Sequence, residues 1–362
     1  MSLIFEEAKR EFAASVRTPL FRFATVGLIG YLALILMSAQ YMREMGATNI
    51  PRNSAHVVYL MTAGQAFWLI FAWAWMFARA VTRDRDALLH EIVLSAPIDL
   101  RALFVGRYLG VLGAACLLGA ASPLGFLVVH PLAASGALPP DAVGPIPWTA
   151  MGWGWLLLVI PSAAGLGAMY LTSALRTKSV GGPFAVAGVL IAAWMAAMVI
   201  LRGGDIDPTL ATLIDPSAYG EVEAQAFDWT PAEKSNRLLD LTVPLLVNRL
   251  LWGLLPFVPL AWALRRLRRE HLIIDRPRKK PRDRGVAPPP MPSLPVATLP
   301  RPSMLHALWL ETRWQLARSF SGWAIWLAAG LLVVMGVAGS FVHVIGHAAG
   351  PLIPRPAILS PL

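Results

Sequence analysis

VVYLMTAGQAFWLIFAWAWMFARA, residues 57–80, decides the fold, because its 24 residues carry a single formal charge, Arg79. An α-helix needs about 20 mostly apolar residues to cross about 30 Å of hydrocarbon, so this stretch spans a membrane. Arg83-Asp84-Arg85-Asp86 follows at once and returns the chain to water. Six further stretches qualify: 20–38, 103–129, 148–173, 184–201, 245–264 and 322–344. Of the 362 residues 56% are hydrophobic and 14% charged, with a mean hydropathy of +0.58. Soluble domains run at about 45–50% apolar and about 25% charged. A soluble enzyme built on one core is excluded. The fold class expected is an all-α integral membrane protein with several spans.

The formal charge of +10 is not spread evenly. Lys9, Arg10 and Arg17 precede the first span, Arg83, Arg85 and Arg101 follow the second, and Arg176 and Lys178 follow the fourth. After the sixth comes a dense run from Arg265 to Arg284. The alternate loops hold two basic residues (40–56), none (130–147) and three (202–244), the last against eight acidic ones. The positive-inside rule then puts the N-terminus in the cytoplasm and assigns the clusters to a membrane face rather than to nucleic acid. Residues 1–17 do not read as a cleavable signal peptide, since Glu6, Glu7 and Glu11 interrupt them and no short apolar core follows the basic residues. The lone cysteine, Cys116, supports neither a disulfide framework nor a cysteine zinc site.

Five segments follow. Residues 1–19 read as an interfacial amphipathic helix, with Phe5, Ala8, Phe12 and Val16 on one face and Glu6, Lys9 and Arg10 opposite. Residues 20–269 form a six-span unit with an acidic outer loop over 203–244. Residues 270–302 are a basic, Pro-rich cytoplasmic linker that cannot bury a core. Residues 303–362 hold one span, and LHALWLETRWQLARSFSGW (305–323) repeats the pattern of FEEAKREFAASVRTPLF (5–21), which suggests the start of a second unit.

Chemistry is sparse. No GxxxxGK(S/T) is present to cradle phosphates, so the chain is read as no enzyme and any ATP-Mg would be bound by a partner. His343 and His347 stand at i, i+4 without an HExxH, and read as interfacial polar residues rather than metal ligands. No cofactor is expected in this chain. Gly165, Gly167, Gly181 and Gly182 read as close-packing and loop glycines. Trp68, Trp73, Trp75, Trp148, Trp153 and Trp155 gather near the expected interfaces or line one face, and are explained by aromatic belts, with a platform for a bulky substrate as the alternative.

The informative loop is RDRDALLHEIVLSAPIDLRALFVGR, residues 83–107. A charged head leads into a short amphipathic stretch that Pro97 ends, and Asp99 caps the next helix. Such a helix serves either as an interfacial anchor or as a knob in the groove of a soluble partner. Arg83, Asp84, Arg85, Glu91, Leu94, Ser95, Pro97, Gly106 and Arg107 resemble the coupling segment of ABC-2-type transporter permeases, and Arg17-Thr18-Pro19 resembles their opening elbow helix. A second likeness runs over residues 228–269, DWTPAEKSNRLLDLTVPLLVNRLLWGLLPFVPLAWALRRLRR, carried by Trp229, Thr230, Glu233, Asn236, Arg237, Asn248, Arg249 and Trp252. It resembles the last span of large bacterial permeases, some fused to an aminopeptidase-like domain. From the residues alone, Asn248 and Arg249 read as a snorkelling anchor at the outer mouth of the sixth span.

The resemblance implies a six-helix ABC-2-type unit in a bacterial inner membrane, the permease of an ATP-driven exporter. It implies a separate, dimeric ABC ATPase docked on segment 83–97 through Arg83, Asp84, Leu88, Glu91, Ile92, Ser95 and Pro97. It also implies a second permease unit, supplied by a longer protein, another polypeptide or a second copy. The alternative is a membrane scaffold that transports nothing and recruits cytoplasmic partners. Membrane lipids are partners in either case.

Overall fold

A computed structural model describes residues 3–47, 49–87, 89–203 and 208–272, together with residues 303, 306, 309, 310 and 313. Two compact units divide at Pro277–Arg278, within the expected linker. The stretch 322–344, most of the linker, Leu88, His343 and His347 lie outside the described residues.

The first unit is helical, with no strand among the described residues. Its amphipathic leader α1 (Leu3–Val16) is separated from α2 (Pro19–Met37) by Thr18, whose Oγ1 accepts from Phe21 N at 3.3 Å and donates to Ser15 O at 2.8 Å. Pro19 occupies the first helical position, where a missing N–H costs nothing. A short α3 (Ala39–Glu44) turns the chain into α4 (Ala55–Asp86). At 1.5 Å per residue its 32 residues run about 48 Å, well beyond the hydrocarbon thickness, so the Arg83–Asp86 turn stands clear of it. Then come α5 (His90–Ser95), α6 (Leu100–Gly119), α7 (Ala121–Gly125) and, after a 3-10 turn, α8 (Val129–Ala134). The next span joins α9 (Trp148–Gly154) to α10 (Ile160–Thr177) through a π-helical turn. It is followed by α11 (Gly181–Gly203), α12 (Pro208–Ile214), α13 (Tyr219–Ala226) and α14 (Pro231–Asn236). Finally α15 (Val243–Arg249) and α16 (Phe257–Arg265) flank a second π-turn.

Five helices or helix runs are long and apolar enough to cross a membrane: Pro19–Met37, Ala55–Asp86, Leu100–Ala134, Trp148–Thr177 and Val243–Arg265. The stretch 184–201 falls on α11, whose Gly181–Ala197 part is a shorter apolar helix. The protein is a multi-pass membrane protein. Helix α4 is its axis, packed on α2, α6, α9, α10 and α11.

Trp73 is buried at the heart of α4, and Trp68, half exposed, lies mid-helix beside Tyr31 at 5.0 Å. Neither belongs to an aromatic belt, so that expectation is corrected for both. The described part of the stretch 203–244 folds back on the bundle. Ala218, Val222, Ala226, Trp229 and Leu239 share one buried cluster with Tyr59, Leu60 and Ala63 of α4, forming a cap over one end of the bundle.

Helix α1 docks on α6 with its polar side. Glu7, Glu11 and Ser15 are its buried residues, while Phe5 is exposed and Phe12 rests at the edge of the contact beside Gly113, so the expected apolar face is not the one that α1 buries. The approach is backbone-close. A Cβ on Gly106 would stand 2.7 Å from Ile4 O, and one on Gly110 would meet Ala8 O and come within 2.8 Å of Glu11 Cβ. Gly110→Val is therefore expected to cost about 1–3 kcal/mol, seen as a lower thermal midpoint of the purified full chain. Gly27→Val, whose Cβ meets nothing within 4 Å, should leave the midpoint unchanged.

Candidate functional site

The docking of α1 builds a buried charge network at the basic end of the bundle. Arg107, on α6, is 3% exposed. Its Nε donates to Glu7 Oε1 at 2.9 Å, Nη1 to Ala80 O at 2.8 Å and Nη2 to Asp84 Oδ2 at 2.5 Å. Arg83 holds Glu11 through Nη2 at 2.9 Å and lies 3.8 Å from Asp84. One guanidinium thus ties α1, α4 and α6 together, using its planar fork as a lysine could not. Two arginines face three carboxylates, and burial pushes the Glu11 carboxyl above its usual range despite Arg83 and Arg107.

The expected coupling residues divide around this network. Arg83 and Asp84 belong to it and turn inward. Helix α5, six residues long, lies beyond it with Ile92 exposed at 68% and Ser95 and Pro97 also exposed. Ser95 Oγ donates back to Ile92 O at 2.9 Å. Asp99 caps α6 by accepting from Arg101 N at 2.9 Å, as the spacing after Pro97 predicts. Glu91 lies on α5, and Leu88 is outside the described residues. The loop is further tied to the end of α16, because Arg101 Nη2 donates to Arg265 O at 2.9 Å and Arg269 Nη2 to Ile98 O at 3.1 Å.

At the opposite end the last-span residues form a clamp. Asn248 is fully buried and Arg249 is 9% exposed, so neither snorkels, and that reading is corrected. Asn248 Nδ2 donates to Thr212 O and, at 2.8 Å, to Asp215 O. Trp252 Nε1 donates to Leu213 O at 2.8 Å, and Arg249 Nη2 to Pro216 O at 3.4 Å. All three side chains thus hold the carbonyls of one segment, 212–216. Arg249 also reaches Ser162 Oγ at 3.0 Å and Leu158 O at 3.5 Å in the fourth span. Both spans can meet so closely because each carries a π-turn just before a proline, at Trp155–Val159 before Pro161 and at Leu250–Leu254 before Pro256. Gly165 supplies the remaining room, since a Cβ there would collide with Trp252 O. Asp215 is fully buried, accepting from Ser217 Oγ at 2.6 Å and Gly220 N at 3.0 Å, and burial pushes its carboxyl up.

The other residues of the second likeness form the edge of the cap. Thr230 and Glu233 make a reciprocal capping box on α14. Arg237 pairs with Glu233 at 2.9 Å and Asp240 at 2.8 Å and lies 5.2 Å over the Trp229 ring.

Sequence reasoning missed Glu7, Glu11, Ser162 and Asp215. The i, i+4 spacing of Glu7 and Glu11, set against an arginine inside an apolar helix, was the available signal for the first pair. Among the described residues no three His, Cys, Asp or Glu side chains come together to hold a metal. Comparison of the chain with protein-family models, with curated proteins and with solved structures finds no match in any of the three.

Arg107→Met leaves Glu7 and Asp84 buried without their cation, and a loss of about 3–5 kcal/mol is expected, read as unfolding or release of α1 to protease. Glu11 gives a pH signature. Its folded pKa is raised from 4.5, so the folded state holds the proton longer than the unfolded one. Its contribution to stability therefore falls as pH rises from 4.5 through the folded pKa. Thermal midpoints of Glu11→Gln against wild type across that window should show a flatter pH dependence in the variant.

Proposed function

We propose that this chain is the permease subunit of an ATP-driven ABC-2-type exporter in a bacterial cytoplasmic membrane, with its N-terminus inside. The observation that carries the reading is α5, a short exposed helix projecting between two spans whose ends are bolted to α1 by Arg107. A helix in that place has an apolar residue, Ile92, open to a partner, and rigid elements behind it to receive a push. The basic loops at that end favour the cytoplasmic side, where ATP is available. ATP-Mg would be bound and hydrolysed by a separate dimeric ATPase. The motion of segment 83–97 would then open a path between this six-helix unit and a second one.

Ile92→Asp combined with Glu91→Lys is expected to abolish co-purification of an ATPase in mild detergent, while the thermal midpoint of the chain stays unchanged. Retention of the ATPase by that variant would refute the docking assignment. Orientation is tested separately. In a Cys116→Ala background, Ser95→Cys should react with a membrane-impermeant maleimide only in inverted vesicles, and Ser235→Cys only in intact cells.

A further inference from the structure

A small, partly open cleft lies at the basic end, between the last turn of α4, α5, the start of α6 and the turn after α10. Three cations line it, Arg85, Arg107 and Lys178, against one carboxylate, Asp84. Arg107 and Asp84 are committed to each other at 2.5 Å. Arg85 and Lys178 have no ion-pair partner among the described residues, so the cleft keeps an excess of positive charge. The rest of the wall is mostly apolar, with Val93 of α5 facing Leu103 and Phe104 of α6. His90 of α5 also lines it, and its Nδ1 is buried without a hydrogen-bond partner.

Lys178 is placed at the cleft by the end of α10. It ends α10 in the left-handed region, at φ 53° and ψ 27°, with its N–H bonded to Ala174 O at 2.8 Å. Glycine is the usual residue there because it carries no Cβ penalty. Arg85 stands in the last turn of α4, beyond the apolar stretch 57–80.

We propose that this cleft is a binding site for an anionic phosphate group carried by a phospholipid, with Arg85 and Lys178 on the phosphate and an acyl chain leaving the cleft past Val93. Juxtamembrane Lys and Arg attract anionic lipid, and two cations without an ion-pair partner among the described residues suit a phosphate. Because α5 contributes one wall, an occupied cleft fixes the position of α5 relative to α4 and α6. Lipid composition thereby sets how firmly that helix is presented. The binding itself does not require the exporter reading.

The full chain, purified in mild detergent and stripped of lipid, is titrated with phosphatidylglycerol, with phosphatidylcholine of the same chains, and with inorganic phosphate, and retention is read by native mass spectrometry. Phosphatidylglycerol should bind about tenfold or more tightly than phosphatidylcholine, and the difference should shrink as salt is raised. R85Q/K178Q should lose that preference. K9Q/R10Q, on the exposed side of α1, should keep it. Equal binding of the two lipids, or an unchanged preference in R85Q/K178Q, overturns the site. Binding of inorganic phosphate as tight as that of phosphatidylglycerol overturns the lipid assignment in favour of a free-anion site. If R85Q/K178Q does not fold, K178Q alone is read against K9Q/R10Q, and an unchanged preference in K178Q overturns the site.

Discussion

One buried guanidinium organises the basic end of this protein. Removing Arg107 from water is costly, and the cost is offset only because Glu7, Asp84 and the Ala80 carbonyl complete its donor set. Those partners lie on two other helices, so the chain cannot satisfy the charge without assembling all three. The glycines at 106 and 110 follow from the same demand, since Glu7 reaches Arg107 only when the backbone of α1 lies almost against α6. Docking of the leader, the close end of α4 and the placing of α5 beyond both are one electrostatic solution.

The opposite end solves a different problem with backbone chemistry. Segment 212–216 would expose carbonyls without partners next to an apolar core, and each missing bond there is expensive. Asn248, Arg249 and Trp252 meet four of them from a single helix. Prolines 161 and 256 account for the geometry, because each removes a helical N–H and stands just beyond a wide turn where neighbouring groups can enter. A cap is thus hung from the last span and rests on α4 through Trp229 and Leu239.

The spans were legible because twenty apolar residues in a row have few other uses, and Asp99 as a cap after Pro97 was legible from spacing alone. The direction of α1 was not. In a soluble protein the apolar face of a helix marks the core, but beside lipid the apolar face is the outside, and Glu7 and Glu11 mark the protein. Arg249 failed for a related reason. An arginine near a span end can snorkel or turn inward, and only the position of 212–216, distant in sequence, distinguishes the two. Trp73 and Trp68 misled because an indole is at home both at an interface and against packed helices, with nothing local to choose between them.

Helix α4 contains no proline between Tyr59, which lies under the cap, and Arg83, which lies in the charge network. Between those residues the helix is unbroken, so it offers no proline hinge at which a tilt of one end could be absorbed before it reached the other. The cap and the charge network are thus joined by one continuous helix as well as by the packing around it.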